Sequence, residues 1–244
     1  MRRVVPIFLF LVLIFSCKKE SYRETTDFGY NYQPNKVGYW IEYEVDSITF
    51  DNNTNPVTID TAHYFIREVF DTTYTDASNN EAIRVEQYRK NLESDVYQIN
   101  YVGNAQFTTG NFQRNFHDLR YMALTFPVRE GNDWQGNIFI DVNSSDPYNF
   151  LNDDLYNWTY TYTEVDVAKE IGGFSLDSCV VVQQIDEANL FEMKYAQEIY
   201  ARNIGMVYKE MKILNTQVPP SGVPFEERAE SGFILTYTLK DYQH

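Results

Sequence analysis

Three histidines, two cysteines and 35 acidic side chains are the groups in this 244-residue chain that can hold a metal, attack a carbonyl or move a proton. His63 falls in an alternating, strand-like segment, His117 beside a candidate helix, and His244 is the last residue. No two are close enough for a local metal pair, and no H-E-x-x-H occurs, so neither a metal site nor a catalytic histidine is expected. Cys179 sits in the apolar run Asp177-Ser178-Cys179-Val180-Val181-Val182, which suits a buried, inert thiol better than a nucleophile. Ser178 has no recognisable base partner. There is no G-x-S-x-G elbow, no P-loop and no G-x-G-x-x-G. A glycosidase-like pair of carboxylates is open in principle, but with 35 acids any fold brings some pairs together. Asp141 to Asp146 and Asn152-Asp153-Asp154 offer oxygen ligands for calcium. They lack the central Gly and terminal Glu of an EF-hand loop, so solvated acidic loops are the expectation. No cofactor is implied, and enzymatic function is the less favoured reading.

Cys17 is different. Arg2 and Arg3 form a basic head, Val4–Phe15 is an apolar run broken only by Pro6, and Ser16-Cys17 is followed at once by Lys18-Lys19-Glu20. A run of twelve residues falls short of the ~20 that a bilayer-spanning helix needs, but matches the centre of a secretory signal. Ile14-Phe15-Ser16-Cys17 resembles a bacterial lipobox, with Phe15 bulkier than is usual. The resemblance implies cleavage before Cys17 and acylation of its thiol and new amine. Several acyl chains, at ~0.8 kcal/mol per buried CH₂, anchor a protein firmly. Residues 1–16 are therefore expected to be a lipoprotein signal peptide, and 17–34 the lipidated Cys17 with a polar tether. Residues 35–244 are expected to form a single β-rich domain. With Cys17 acylated, Cys179 has no disulfide partner, and the domain must rely on its core.

Removing Arg2 and Arg3 leaves 18 basic against 35 acidic side chains, a net charge of −17. Such a chain does not grip nucleic-acid phosphates. Its 20 Tyr and 17 Phe argue equally against disorder.

The elements that must position any site are strands. Tyr39, Ile41, Tyr43 and Val45 alternate with Trp40, Glu42, Glu44 and Asp46, giving one apolar and one mainly acidic face. Over 62–75, Tyr64, Ile66 and Phe70 share a face with Glu68. Strands are expected again at 81–90, 95–101, 158–163, 178–185, 191–201, 206–214 and 233–240, with a turn at Asn203-Ile204-Gly205. Phe112, Phe116, Leu119 and Ala123 have helical spacing, which predicts one short helix near 111–122. Gly38 and Gly131 each stand shortly before a Trp; glycine there permits a positive φ, and Trp40 and Trp134 are expected to cover the end of the core. The fold class is all-β. The expected form is a mainly antiparallel curved sheet, half-barrel or barrel of about ten strands, with at most one or two short helices.

Pro34 to Tyr43, Leu124 to Asn137 and Tyr200 to Glu210 together look like lipoproteins of Bacteroidota-type bacteria. That resemblance implies an outer-membrane lipoprotein, on a face of the membrane left undetermined. It also implies a curved sheet similar to lipoprotein carriers of the LolA type, and transfers no activity. Asp46-Ser47-Ile48, Asp60-Thr61-Ala62 and Asp71-Thr72-Thr73 resemble the O-glycosylation motif of exported proteins from such bacteria, with Thr61 the best candidate. A half-barrel's concave face would offer an apolar cavity for a lipid or other hydrophobic ligand; the plainer expectation is a sheet filled by its own aromatics. Tyr-rich strand faces can also stack on sugar rings. The function expected is a non-enzymatic binding, carrier or scaffold module of the cell envelope. Its partners would be the membrane, through Cys17, together with a hydrophobic or glycan ligand or envelope proteins. An envelope hydrolase or a structural subunit of a surface complex is the alternative.

Overall fold

The computed structural model describes residues 26–33, 36–77, 79–116, 119–140, 155, 157–217 and 222–243. The signal segment, Cys17, His117, His244 and the candidate calcium loops lie outside the described residues. Among the described residues twelve strands form one sheet: β1 (Trp40–Asp51), β2 (Thr58–Thr75), β3 (Glu81–Lys90), β4 (Gln98–Phe107), β5 (Asn111–Phe116), β6 (Leu119–Thr125), β7 (Asp133–Gln135), β8 (Thr159–Ile171), β9 (Phe174–Ala188), β10 (Glu192–Ala201), β11 (Gly205–Asn215) and β12 (Ser231–Gln243). Spatial order is β6-β5-β4-β3-β2-β1-β12-β11-β10-β9-β8-β7, and the paired strands run antiparallel. The chain thus meanders outward from the β1–β12 pair in both directions, and the two outermost strands come back to meet.

That meeting nearly closes a barrel. Met122 N donates to Gly136 O at 2.8 Å and Trp134 Nε1 to Met122 O at 2.7 Å. Thr125 N donates to the Tyr162 hydroxyl at 2.9 Å, and that hydroxyl donates to Thr125 O at 2.8 Å. Side chains thereby satisfy edge groups that a continuous ladder would otherwise pair. A Cβ on Gly136 would lie 2.4 Å from the Tyr160 ring, so only glycine lets the chain approach it.

The strand count is therefore twelve where about ten were expected, and the short helix near 111–122 is replaced by the β5–β6 hairpin. Inward positions of this hairpin are Arg114 and Phe116, then Leu119, Tyr121 and Ala123. Period two interrupted by a turn reproduces the four-three-four spacing of Phe112, Phe116, Leu119 and Ala123. Among the described residues helix is confined to two three-residue 3₁₀ turns, Tyr30–Tyr32 and Phe225–Glu227, and to Leu155.

The expected apolar face of β1 is the inner one: Tyr39, Ile41, Tyr43 and Val45 are all buried. Its acidic face is not wholly solvated. Glu42 is buried, held by Arg67 Nη2 at 2.5 Å, while Arg67 stacks on the rings of Trp40 and Tyr97. Gly38 and Gly131 have φ of +85° and +82°, and a Cβ at either would meet no neighbour, so the backbone angle is what calls for glycine. Trp134 is buried as expected, whereas Trp40 lies on the outer face under Arg67 rather than over the core.

The described chain already contacts the barrel before residue 34. Tyr32 is buried and its hydroxyl donates to Asp166 Oδ1 at 2.7 Å. Arg202 ties the same turn down, contacting Asp27 Oδ2 at 2.8 Å, Asn31 Oδ1 at 2.7 Å and Asp166 Oδ1 at 2.8 Å. Tyr30 donates to Thr109 O at 3.1 Å. These contacts lie at the end of the barrel that carries the β4–β5 and β10–β11 turns.

Candidate functional site in the barrel interior

The interior has two halves. At the end where the N-terminal segment docks, Tyr32, Tyr39, Tyr43, Tyr162, Tyr200 and Phe112 fill the space and are fully buried. Buried phenols need partners, and find them: Tyr43 donates to Met206 O at 2.9 Å and Tyr160 to Asn137 Oδ1 at 2.7 Å. Burial pushes the Tyr43, Tyr160 and Tyr200 hydroxyls well above the ordinary phenol value, so they remain protonated donors.

Toward the opposite end the aromatic filling stops. A partly enclosed cavity of about 760 Å³ opens among the ends of β1, β2, β3, β4, β5, β6, β11 and β12. Its walls include Phe50, Ile66, Phe116, Leu119, Met211, Ile213, Phe233 and Leu235. The expectation of a sheet filled wholly by its own aromatics is thus corrected: they fill one half only. On β11 and β12 the inward residues at this end are Met211, Ile213, Phe233 and Leu235, with Ser231 and Gly232 at the rim.

Between the halves lies a polar floor around a smaller space of about 80 Å³. Arg114 Nη2 on β5 meets Glu68 Oε1 on β2 at 2.7 Å, with the side chains 15% and 5% exposed. Gln87 Nε2 on β3 also donates to Glu68 Oε1, at 3.4 Å, and Asn100 Nδ2 on β4 donates to Gln87 Oε1 at 2.7 Å. The run of contacts therefore ties four adjacent strands from inside. Opposite, Lys209 Nζ on β11 meets Glu198 Oε1 on β10 at 3.0 Å, and Tyr200 donates to Glu198 Oε2 at 2.6 Å. Burial alone would raise the Glu198 carboxyl; Lys209, the Tyr200 hydroxyl and Arg114 outweigh it and hold it below its ordinary value of 4.5.

The sequence candidates are placed as follows. Thr61 is exposed, three residues inside β2. His63 is exposed on the outer surface, its Nδ1 2.8 Å from Asp46 Oδ1. Cys179 is buried and its thiol is pushed up to about 11 by burial, which leaves it without nucleophilic character. Ser178 donates to Asp166, inside the Arg202 cluster. The tyrosines Tyr39, Tyr43, Tyr160 and Tyr162 face inward, which removes them as a surface for stacking sugars. Among the described residues no group of three metal-ligating side chains forms. Sequence reasoning did not single out Arg89, Arg114, Glu198 or Lys209. Glu68 did carry a signal, as a carboxylate on the apolar face of Tyr64 and Ile66.

Two depressed carboxylates make acid lability a testable property. Asp166, whose main support is the Arg202 hydrogen bond, lies well below its ordinary value of 3.8, and Glu198 lies below 4.5. A folded-state pKa below the unfolded one gives stability that is present above the unfolded value and is lost as pH falls through the folded one. Thermal melts should therefore show the wild type losing stability steeply between about pH 5 and pH 2. Glu198→Gln and Asp166→Asn should start lower at neutral pH and lose less over that window. Parallel pH profiles for wild type and both variants would contradict the assignment.

No family model matches this chain, and no curated protein matches it. Two solved structures are similar to it. One is a candidate exported protein with a YmcC-like fold from Bacteroides fragilis, the other a candidate lipoprotein from Parabacteroides distasonis. Each shares 12% identity and superposes with a TM-score of 0.42, over 87% of this chain and 98% of its own.

Proposed function

We propose that this chain is a cell-envelope lipoprotein, anchored to the outer membrane through Cys17, whose barrel binds and carries a hydrophobic ligand without chemical turnover. The observation that carries the reading is the apolar cavity of about 760 Å³, within the range of ~300–1,000 Å³ usual for ligand pockets. Placement supports it. The N-terminal segment docks at the aromatic-filled end, so an anchored domain presents its cavity mouth away from its own tether. The interior carboxylates support binding over hydrolysis. Glu68 is paired with Arg114, and Glu198 is held below its ordinary value, whereas a glycosidase general acid needs a raised one.

Every described element lies downstream of residue 25, so the chain from Lys18 onward keeps all described contacts. Titrated with the neutral probe N-phenyl-1-naphthylamine, it should give saturable fluorescence enhancement. Leu235→Trp, which puts an indole into the cavity wall, should weaken that binding at least tenfold with the thermal midpoint little changed. Absence of saturable binding by the wild type, with no lipid in an organic extract of the native protein, would overturn the reading.

A further inference from the structure

The chain carries 35 acidic against 20 basic side chains, yet the charged residues lining the large cavity are Arg89 and Lys209, with no carboxylate among the described lining. That inversion of the chain's own charge is a specific feature of the chamber. Lys209 is already matched by Glu198 at 3.0 Å. Arg89 is not matched. Its guanidinium carbon sits 3.8 Å over the Tyr64 ring and its Nε donates to Asn91 Oδ1 at 3.1 Å. No carboxylate of the described residues pairs with it. Among the described residues neither η nitrogen has a hydrogen-bond acceptor, which leaves four N–H donors in a fixed fork.

We propose that the carried ligand is an amphiphile with an anionic head, a carboxylate or phosphate. The Arg89 fork holds the head, and the tail lies along Ile66, Phe116, Met211, Ile213 and Leu235. The proposal rests on the carrier reading above and adds the ligand's chemistry to it. Stacking on Tyr64 fixes the plane of the guanidinium, so little side-chain freedom is lost when a head group docks. Because Glu198 already answers Lys209, the site is built for one anionic group. Asn100, whose Nδ2 is turned to Gln87, borders the same stretch of wall and adds a neutral polar edge.

Competition against bound N-phenyl-1-naphthylamine separates the head from the tail. The competitors are laurate, dodecyl phosphate, 1-dodecanol and inorganic phosphate, all below micellar concentrations, on the chain from Lys18 onward. Laurate and dodecyl phosphate should displace the probe at concentrations at least tenfold lower than dodecanol. Inorganic phosphate should displace neither probe nor laurate. Arg89→Gln should bring the two anionic amphiphiles to the level of dodecanol while leaving dodecanol and probe binding as they are, which also certifies the variant's fold. Arg89→Lys should keep part of the preference. Equal affinity of wild type for laurate and dodecanol overturns the proposal. So does an equal loss of both in Arg89→Gln, or displacement of laurate by inorganic phosphate alone. Failure of the probe itself to bind overturns instead the carrier reading on which the proposal rests.

Discussion

Arg114→Met is expected to destabilise the barrel by about 3–5 kcal/mol, read as a lower urea midpoint at unchanged slope. The cost comes from what is left behind. Glu68 is 5% exposed and accepts from Arg114 at 2.7 Å, with only the longer Gln87 contact of 3.4 Å remaining after the change. A carboxylate that loses its cation in such a place must stay charged without compensation or take up a proton, and both are unfavourable. Desolvation works against charge on Arg114 as well; the charge and hydrogen bond of Glu68 outweigh it and raise the guanidinium pKa. The double variant Glu68→Leu/Arg114→Met removes both charges and should recover most of the loss, because a buried ion pair and an apolar pair of similar volume are often nearly equal in stability. A cost under about 1 kcal/mol for the single variant, or a double variant worse than either single one, would show that the pair is solvated in solution and does not hold the four strands from inside.

The same residues show how far the sequence could be read. The period of two in β1 declared its inner face, because each of Tyr39, Ile41, Tyr43 and Val45 is large, apolar and buried. Glu68 interrupted such a pattern on β2, which is the local mark of a buried charge, but its partner could not be found from sequence: Arg114 is 46 positions away and reaches it across β3 and β4. The hairpin carrying Arg114 was itself hidden. Skipping the inward polar residues Arg114 and Tyr121 leaves Phe112, Phe116, Leu119 and Ala123 at the spacing of a helix face, and nothing local separates the two periods. Strand β7 is three residues long, too short to show any period. The cavity was illegible for a different reason. It depends on which inward residues face one another across twelve strands, and therefore on barrel closure, which no single strand encodes.

Closure leads to the second large effect. Trp134→Ala should cost about 3–5 kcal/mol, the usual range for deleting a buried Trp, and should also open the β6–β7 seam. The indole packs on Tyr160 and Tyr162, with ring centroids 5.8 and 4.6 Å away, and its Nε1 donates to Met122 O on the facing edge strand. Truncation removes core volume and leaves that carbonyl without its donor. It also withdraws the packing that holds the Tyr162 hydroxyl between Thr125 N and Thr125 O. Two neighbouring changes divide the effect. Trp134→Phe keeps a ring in the core but drops the hydrogen bond, and should cost less, about 1–3 kcal/mol. Tyr162→Phe removes the double contact to Thr125 and leaves the packing. Hydrogen exchange at Met122 and Thr125 gives the discriminating readout. If the seam closes the barrel, both amides should lose protection in Trp134→Ala, and only Thr125 should lose it strongly in Tyr162→Phe. With the seam open, β6 presents unpaired backbone to solvent, and the variant should associate at concentrations where the wild type stays monodisperse. Unchanged protection at both amides in Trp134→Ala would mean that the two halves of the meander are held together elsewhere, by the central β1–β12 pair alone.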